Sequence, residues 1–294
     1  MTVCRHAMNA HNALSILGSF SVDNLSGIKH VICVASGKGG VGKSTTALNI
    51  AIALSQQGFK TGLLDADIYG PSQPMMLGVA AGTRPEIVDK QYMKPIMAHS
   101  LASNSIGYLV DASTAMAWRA PMIVGAFNQL LKFTLWSDLD YLIIDMPPGT
   151  GDIQLSLTQA LRLSGAVIVT TPQDIALLDA RKGIEMFRKV NVPLLGVVEN
   201  MAMHVCSNCG HAEAIFGQGG GERLAQDYHV KVIGTLPLDL SIRQHADSGL
   251  PISIAQPESA SALAYQQLAR RLVEEVDALS ENKTPAPVIQ VSDD

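Results

Sequence analysis

The chain is short of cysteine, of basic charge and of long apolar runs, and each shortage excludes a class of protein. Four cysteines, unevenly spaced over 294 residues, are too few for a disulfide scaffold. The net charge of −5, from 21 basic and 26 acidic side chains, argues against a protein whose main task is to bind the phosphate backbone of nucleic acid. No apolar run reaches the roughly 18 residues that a membrane span requires.

The N-terminal region also lacks the pattern of a secretory signal peptide. Histidine and asparagine residues interrupt it between Arg5 and Leu14, so it has no continuous apolar segment. We therefore expect a cytoplasmic protein with neither a membrane nor a nucleic acid among its partners. Because 47% of the residues are hydrophobic, a large core is available. The predicted organisation is an N-terminal arm at 1–28, one domain at 29–279 and a disordered tail at 280–294.

Short apolar segments alternate along the chain with segments of helical periodicity. Such alternation predicts an α/β fold, with a mainly parallel sheet covered by helices on both faces. Residues 71–120 lack a clean period and are predicted as loops with short elements. The predicted strands are 31–35, 60–65, 141–145, 166–170, 194–198 and 230–236, and the predicted helices are 44–57, 153–162, 175–190, 222–228 and 259–279.

A glycine-rich segment joins the first predicted strand to the first helix. It fits the pattern G-x-x-x-x-G-K-S/T, in which backbone N–H groups and a helix N-terminus enclose a polyphosphate. In this pattern Lys43 reaches the β- and γ-phosphates and Ser44 binds Mg²⁺. The sequence thus predicts an ATP site, formed by Gly37, Lys38, Gly39, Gly40, Val41, Gly42, Lys43, Ser44 and Thr45.

The second residue of this loop, Lys38, has no obvious task within its own loop. The form K-G-G-x-G-K-S/T resembles the deviant-Walker P-loop NTPases. These include the nitrogenase iron protein, the septum-site and partition ATPases, and the Mrp/ApbC iron–sulfur carriers. The resemblance implies a homodimer in which Lys38 crosses the interface to the partner's nucleotide and takes part in catalysis with Lys43 and Asp67. The alternative for Lys38 is an ordinary surface lysine.

Acidic residues follow two of the predicted strands, at the sheet edge where ligands collect. Asp145 begins the segment DMPPGTGD, which resembles the Walker B and switch II segments of the same family. The resemblance implies that Asp145 holds an Mg²⁺-bound water, while Gly149 lets the backbone approach the γ-phosphate. A carboxylate that merely caps the next turn is the alternative for Asp145.

Asp65 and Asp67 lie in the segment LDADIYGPS, which matches the switch I of the family. Of these two carboxylates, we expect only one to face the phosphates directly. The resemblance implies that Asp67 orients the attacking water and that Asp65 supports the metal shell. Both could instead cap turns or helices.

Two further residues are predicted at the nucleotide base. Asn200 follows the fifth predicted strand, where an amide can both donate to and accept from the adenine edge. By resemblance, Asn200 recognises the base, and Pro237 lies beside the ring. An asparagine in a loop is otherwise most often a turn residue.

The segment HVCSNCGH contains a C-x-x-C pair, Cys206 and Cys209, followed by glycine. Its spacing allows both thiolates to bind one metal site. A 4Fe–4S cluster needs four thiolates, and a symmetric dimer supplies the other two. From about residue 28 to about residue 275 the chain resembles the Mrp/ApbC carriers, through DADIYGPS, DMPPGTGD, TTPQDIAL, VENM and CSNCGH. This resemblance implies a slow ATPase that receives a labile cluster from assembly donors and passes it to apo iron–sulfur proteins.

Several alternatives remain open from the sequence. His204 and His211 could complete a structural zinc site with the two cysteines, and the cysteines could form a redox dithiol. A positioning ATPase of the septum-site or partition type is the alternative function, although it needs a basic surface that the acidic closing helix does not provide. A small-molecule kinase would leave both cysteines unexplained.

Residues 1–28 are too short for the extra domain that precedes the phosphate loop in many bacterial members.

Overall fold

The structure is a computed structural model that describes residues 25–110 and 118–281. Within these residues, eight strands form one central sheet and two short hairpins lie outside it. The sheet strands are β1 Ile28–Ala35, β2 Thr61–Asp65, β5 Ile96–Ala98, β6 Leu101–Ser105, β7 Leu139–Asp145, β8 Gly165–Thr170, β9 Leu194–Glu199 and β12 Val232–Thr235. The hairpins pair β3 Ile87–Val88 with β4 Tyr92–Met93, and β10 His204–Val205 with β11 Ala212–Glu213.

Helices connect the strands and cover the sheet. They are α1 Lys43–Gln56, α2 Gln73–Met76, α3 Ala120–Phe133, α4 Asp152–Gln159, α5 Asp174–Lys189, α6 Gly220–Tyr228, α7 Leu240–Asp247, α8 Ile252–Ala255 and α9 Ala260–Glu281. A single 3₁₀ turn, Ile106–Tyr108, follows β6. Among the described helices, none is long and apolar enough to cross a membrane.

The sheet order is β12-β9-β8-β1-β7-β2-β6-β5, and every neighbouring pair is parallel except β5 with β6. The first strand lies near the middle, between β7 and β8. Later strands are added on both sides of it, so loops from both halves of the sheet meet beside the end of β1. The predicted parallel α/β fold is confirmed.

Alternate residues of β1 enter two separate cores, as the two-residue period of a strand requires. Ile32 and Val34 pack with α1, α7, α8 and α9 on one face. Cys33 and Ala35 pack with α3, α4, α5 and α6 on the other. Burial raises the pKa of the Cys33 thiol far above its usual range, so this cysteine is a core residue.

Several elements were not predicted, among them β5 and β6, which join the central sheet, and the helices α3 and α7. The strand β6 is fully buried although its sequence, LASNS, is mostly polar. Its side chains are satisfied by tertiary partners: Ser103 Oγ donates to Ile96 O at 2.8 Å, and Asn104 Nδ2 donates to Thr134 Oγ1 at 2.7 Å. Since polar side chains are satisfied by partners on other elements, this buried strand has no apolar pattern in its sequence.

The predicted domain boundaries need small corrections at both ends. β1 begins at Ile28, the last residue of the predicted arm, and α9 continues to Glu281, two residues into the predicted tail. The rest of the arm up to residue 24, the rest of the tail at 282–294, and residues 111–117 lie outside the described residues.

Candidate functional site

The phosphate loop joins β1 to α1 and needs glycine at three of its positions. Gly40 and Gly42 both have φ of 82°, a conformation that side chains with a Cβ rarely adopt. A Cβ on Gly42 would lie 2.2 Å from Asn200 Nδ2, and a Cβ on Gly37 would lie 2.1 Å from the Asp179 backbone. The predicted loop therefore has the shape of a phosphate cradle that any larger residue would fill or push apart.

Four of the predicted site residues come together at the start of α1. The Lys43 ammonium is almost fully buried and contacts the Asp145 carboxylate directly. It also lies 3.8 Å from Asp67 Oδ2 and donates to Ser44 Oγ at 3.1 Å. The single positive charge of Lys43 thus lies beside two carboxylates. A bound polyphosphate would compete with these carboxylates for the same lysine.

Asp65 is held by hydrogen bonds from neighbouring groups rather than by an ion pair with Lys43. Its Oδ1 accepts from Asp67 N at 3.1 Å, and its Oδ2 accepts from Ser105 Oγ at 3.0 Å. Burial, together with the nearby Asp145 carboxylate, raises the pKa of Asp65 to about 8. Burial also raises the pKa of Asp67, against the opposing effect of Lys43.

The donor set at this position fits Mg²⁺. Ser44, Asp145 and the neighbouring Asp65 and Asp67 offer only oxygen atoms, which this cation prefers. A divalent cation here would oppose the burial and the carboxylate repulsion that together raise the pKa values of Asp65 and Asp67. Ser44 and Asp145 would hold the ion, with Asp65 organising the surrounding loop.

The sequence analysis missed Gln73, which connects three parts of the site. Its Nε2 donates to Asp145 Oδ2 at 2.8 Å and to the Ser44 carbonyl at 3.0 Å, and its backbone N–H donates to Asp65 Oδ2 at 3.2 Å. Gln73 Oε1 is buried and has no hydrogen-bond partner within the described residues. This acceptor is free to bind a metal-bound water. Its place directly after the GPS of switch I is the one sequence signal that could have drawn attention to it.

Gly149 and Lys38 are both connected to Ser36 at the start of the phosphate loop. Gly149 has φ of 98° and donates its N–H to the Ser36 carbonyl at 2.9 Å, which ties the segment after β7 to the phosphate loop. The Lys38 carbonyl accepts from Ser36 Oγ at 2.8 Å. In the described part of the chain, the Lys38 ammonium has no acidic partner, so its action on a second subunit stays a prediction.

Asn200 supports the phosphate loop from the end of β9. Its Nδ2 donates to the Val41 carbonyl at 2.8 Å, and its backbone N–H donates to the Thr170 carbonyl at 2.8 Å. Backbone bonds at Leu236 and Leu238 hold Pro237 beside the segment that follows Asn200. The contacts of Asn200 and Pro237 with a nucleotide base stay predictions.

The two cysteines lie in the loop of the β10–β11 hairpin. Cys206 N donates to the His211 carbonyl at 2.9 Å, and Gly210, with φ of 72°, donates its N–H to the Cys206 carbonyl at 2.8 Å. Backbone N–H groups of Cys209 and then Asn208 hydrogen bond to the Cys206 sulfur and hold its pKa below the usual range. The tight turn therefore favours a thiolate at Cys206, which is half-buried beside the exposed Cys209.

The intrachain zinc site that the sequence left open is not formed within the described residues. His204 Nδ1 donates to the Leu238 carbonyl at 3.0 Å, while His211 is exposed. In residues 25–110 and 118–281, no three His, Cys, Asp or Glu side chains are grouped closely enough to hold a metal ion. Cys206 and Cys209 are free thiols and form a two-ligand group in one chain.

Comparison with known proteins places these features in a family. The family described as the ParA-type NUBPL iron-transfer P-loop NTPase matches residues 27–273. An iron-sulfur cluster carrier protein from Pseudomonas fragi is 61% identical over 248 residues, which are 84% of this chain and 86% of that protein. An iron-sulfur cluster carrier protein from Escherichia coli K12 is 57% identical over 263 residues, which are 90% of this chain and 71% of that protein.

A solved structure with similar architecture is the nucleotide-binding protein from Archaeoglobus fulgidus in complex with ADP. It is 36% identical, with a TM-score of 0.71, and the match covers 82% of this chain and 94% of that one. The family match runs from β1 into α9 and so includes the phosphate loop, the acidic residues and the cysteine hairpin. The resemblance to the Mrp/ApbC carriers is confirmed, and this chain belongs to the family of NUBPL iron-transfer P-loop NTPases.

Proposed function

We propose that this chain is an ATP-dependent iron–sulfur cluster carrier that works as a homodimer in the cytoplasm. The observation that carries the proposal is the exposed hairpin of Cys206 and Cys209, whose backbone favours a thiolate, on the same chain as a phosphate loop. Two thiols are half of the set that a 4Fe–4S cluster needs, and a two-fold axis beside the hairpin would supply the other half. The printed names of the similar bacterial proteins support the same function.

The nucleotide site would work through an exchange of partners by Lys43. When ATP binds, the Lys43 ammonium would leave Asp145 and Asp67 for the phosphates, and Ser44 and Asp145 would hold Mg²⁺, whose charge would replace that of the lysine beside the carboxylates. Asp67, released from the lysine, can orient the attacking water, while Lys38 of each subunit approaches the nucleotide of the other. Asn200 and Pro237 would hold the adenine.

Hydrolysis of ATP need not be fast for this function. A nucleotide shifts the balance between two dimer arrangements through its different affinity for each of them, so slow turnover is enough for a switch. The cluster is cargo rather than a resident cofactor. Thiolates of an assembly donor would give up the cluster to the hairpins, and thiolates of an apo iron–sulfur protein would later take it over.

Anaerobic reconstitution with ferrous iron and sulfide tests the proposal. We expect about two irons and two sulfides per chain, together with a dimer mass, because four thiolates from two chains hold one 4Fe–4S cluster. Metal and sulfide analysis with light scattering measures both. One zinc per chain bound by a monomer would contradict the proposal and support the structural zinc alternative.

The role of Lys38 across the dimer can be tested by mixing variants. Neither Lys38→Ala nor Asp67→Asn should hydrolyse ATP well alone, but their heterodimer contains one site in which both groups are intact. An equal, freely exchanging mixture should therefore regain about a quarter of the wild-type ATPase rate, since half of its dimers are mixed and each has one working site. The measurement is phosphate release.

The matched control replaces the second partner with the double variant Lys38→Ala and Asp67→Asn. Mixed with Lys38→Ala chains, it forms heterodimers that lack any complete site and should show no recovery. A first mixture that stays inactive although mass spectrometry finds heterodimers would disprove the action of Lys38 in trans.

A further inference from the structure

Glu199, the last residue of β9, is a buried acid outside the predicted site. It is 4% exposed, and its carboxylate accepts a hydrogen bond from the backbone N–H of Gly221. Gly221 lies in the first turn of α6 and packs so closely that an added Cβ would lie 2.9 Å from Glu199 Oε2. Burial raises the pKa of Glu199, and the bond from Gly221 is the strongest effect against it.

The hydrogen bond between Gly221 and Glu199 lies at the base of the β10–β11 hairpin, the end opposite its cysteine loop. Residues 200–203 connect Glu199 to β10, so the first leg of the hairpin begins a short distance after the acid. The second leg returns from β11 to α6, where Gly221 meets the same acid. Both legs of the hairpin therefore lead back to Glu199. The first leg follows Glu199 in the chain, and the second leads to α6, which the hydrogen bond from Gly221 connects to the same residue.

The neighbouring residue connects the same point to the nucleotide site. Asn200 Nδ2 donates to the Val41 carbonyl inside the phosphate loop at 2.8 Å. Because successive residues of an extended chain point in opposite directions, Asn200 and Glu199 reach opposite sides of β9. Two adjacent residues thus join the phosphate loop to the helix that anchors the cysteine hairpin.

We propose that Glu199 is a positioning residue that couples nucleotide binding at the phosphate loop to the placement of the cysteine hairpin. A nucleotide that shifts the Val41 carbonyl also shifts Asn200, and the rigid backbone carries this movement to Glu199 and through Gly221 to α6. That the hairpin carries a cluster rests on the proposed function. The coupling itself does not depend on a cluster.

The test compares two replacements of Glu199. Glu199→Gln keeps an oxygen that can accept from Gly221, whereas Glu199→Leu has a similar volume and no acceptor. Amide hydrogen exchange is measured on cluster-free protein, with and without Mg²⁺ and a non-hydrolysable ATP analogue. In wild type and in Glu199→Gln, we expect the analogue to slow exchange in residues 204–213 and 220–228 about fivefold or more. In Glu199→Leu, the phosphate loop should still be protected, but the hairpin should no longer respond.

A matched control is Asp140→Leu, which removes a carboxylate that accepts a backbone hydrogen bond, as Glu199→Leu does. Asp140 also accepts a backbone hydrogen bond, from Lys60 N at 2.8 Å, but it lies at the opposite end of the strands from the site. Its replacement should leave the hairpin's response to the analogue unchanged. Should Glu199→Leu fail to fold, Gly221→Ala keeps the carboxylate but pushes α6 away from it, and the same loss of response is expected.

Two outcomes would overturn the proposal: a hairpin in the wild type that does not respond to the analogue, or a full response in both Glu199→Leu and Gly221→Ala. Since no cluster is present in the experiment, neither result bears on whether the protein carries one. Conversely, a failure to bind iron and sulfide would leave the exchange result standing.

Discussion

Replacing Cys206 or Cys209 with serine should abolish cluster binding, because in the proposed dimer each replacement removes two of the four thiolates at once. Serine oxygen is a poor substitute for a thiolate at iron. We expect iron content to fall to about a tenth of the wild-type value or less, and transfer to an apo-ferredoxin to fall with it. ATP binding should be nearly unchanged, since the phosphate loop belongs to a different segment of the chain. Iron analysis, transfer assays and nucleotide titration measure these three properties.

His204→Ala and His211→Ala are the matched controls from the same hairpin. A four-thiolate cluster does not need either imidazole, so both variants should bind and transfer the cluster normally. A site with two cysteine and two histidine ligands would lose metal in all four variants and would lose folding free energy with it. Normal cluster transfer by Cys206→Ser or Cys209→Ser would rule out the carrier function.

Lys43→Ala should be the most damaging change at the nucleotide site, with two separable effects. The loss of charged hydrogen bonds to the phosphates should weaken ATP binding about 100-fold. Removal of the one cation buried against Asp145 should also lower the free energy of unfolding of the nucleotide-free protein by about 3 kcal/mol. Nucleotide titration and urea unfolding measure the two effects.

Asp67→Asn is the contrasting variant, because Asp67 lies farther from the Lys43 ammonium than Asp145 does. This variant should bind ATP within a few-fold of wild type but hydrolyse it about 100-fold more slowly, since it lacks the group proposed to orient water. Lys60→Ala removes an exposed lysine and should change neither property. Equal losses of binding and rate in Asp67→Asn would mean that this carboxylate holds metal or structure instead.

The elements predicted correctly have strong local patterns. The buried strands appear as short apolar runs, and the glycines of the phosphate loop stand between such a run and a helical period. The strand β6 and the residue Gln73 have no such pattern. Their burial depends on Thr134, Asp65 and Asp145, which only the folded sheet brings close, so polar residues there look like loop residues in the sequence.

The sequence indicates the candidate site residues, but it does not indicate the contacts that connect the phosphate loop to the cysteine hairpin. Local motifs identify Lys43, Asp67, Asp145 and the two cysteines, because phosphate and metal chemistry require fixed residue types at fixed spacing. No such requirement fixes the residue type at position 199, so no motif indicates Glu199. Its importance comes from Gly221, a residue 22 positions later in the chain that the topology places against it.

The cysteine hairpin occupies a single connection between a strand and a helix, and neither of its strands belongs to the central sheet. The core would therefore close in the same way around a shorter connection. Under the proposed function, the cargo site is therefore a separate insertion in a nucleotide-binding fold, and its sequence can change without rebuilding the core. A different loop placed between β9 and α6 is then expected to leave the central sheet intact.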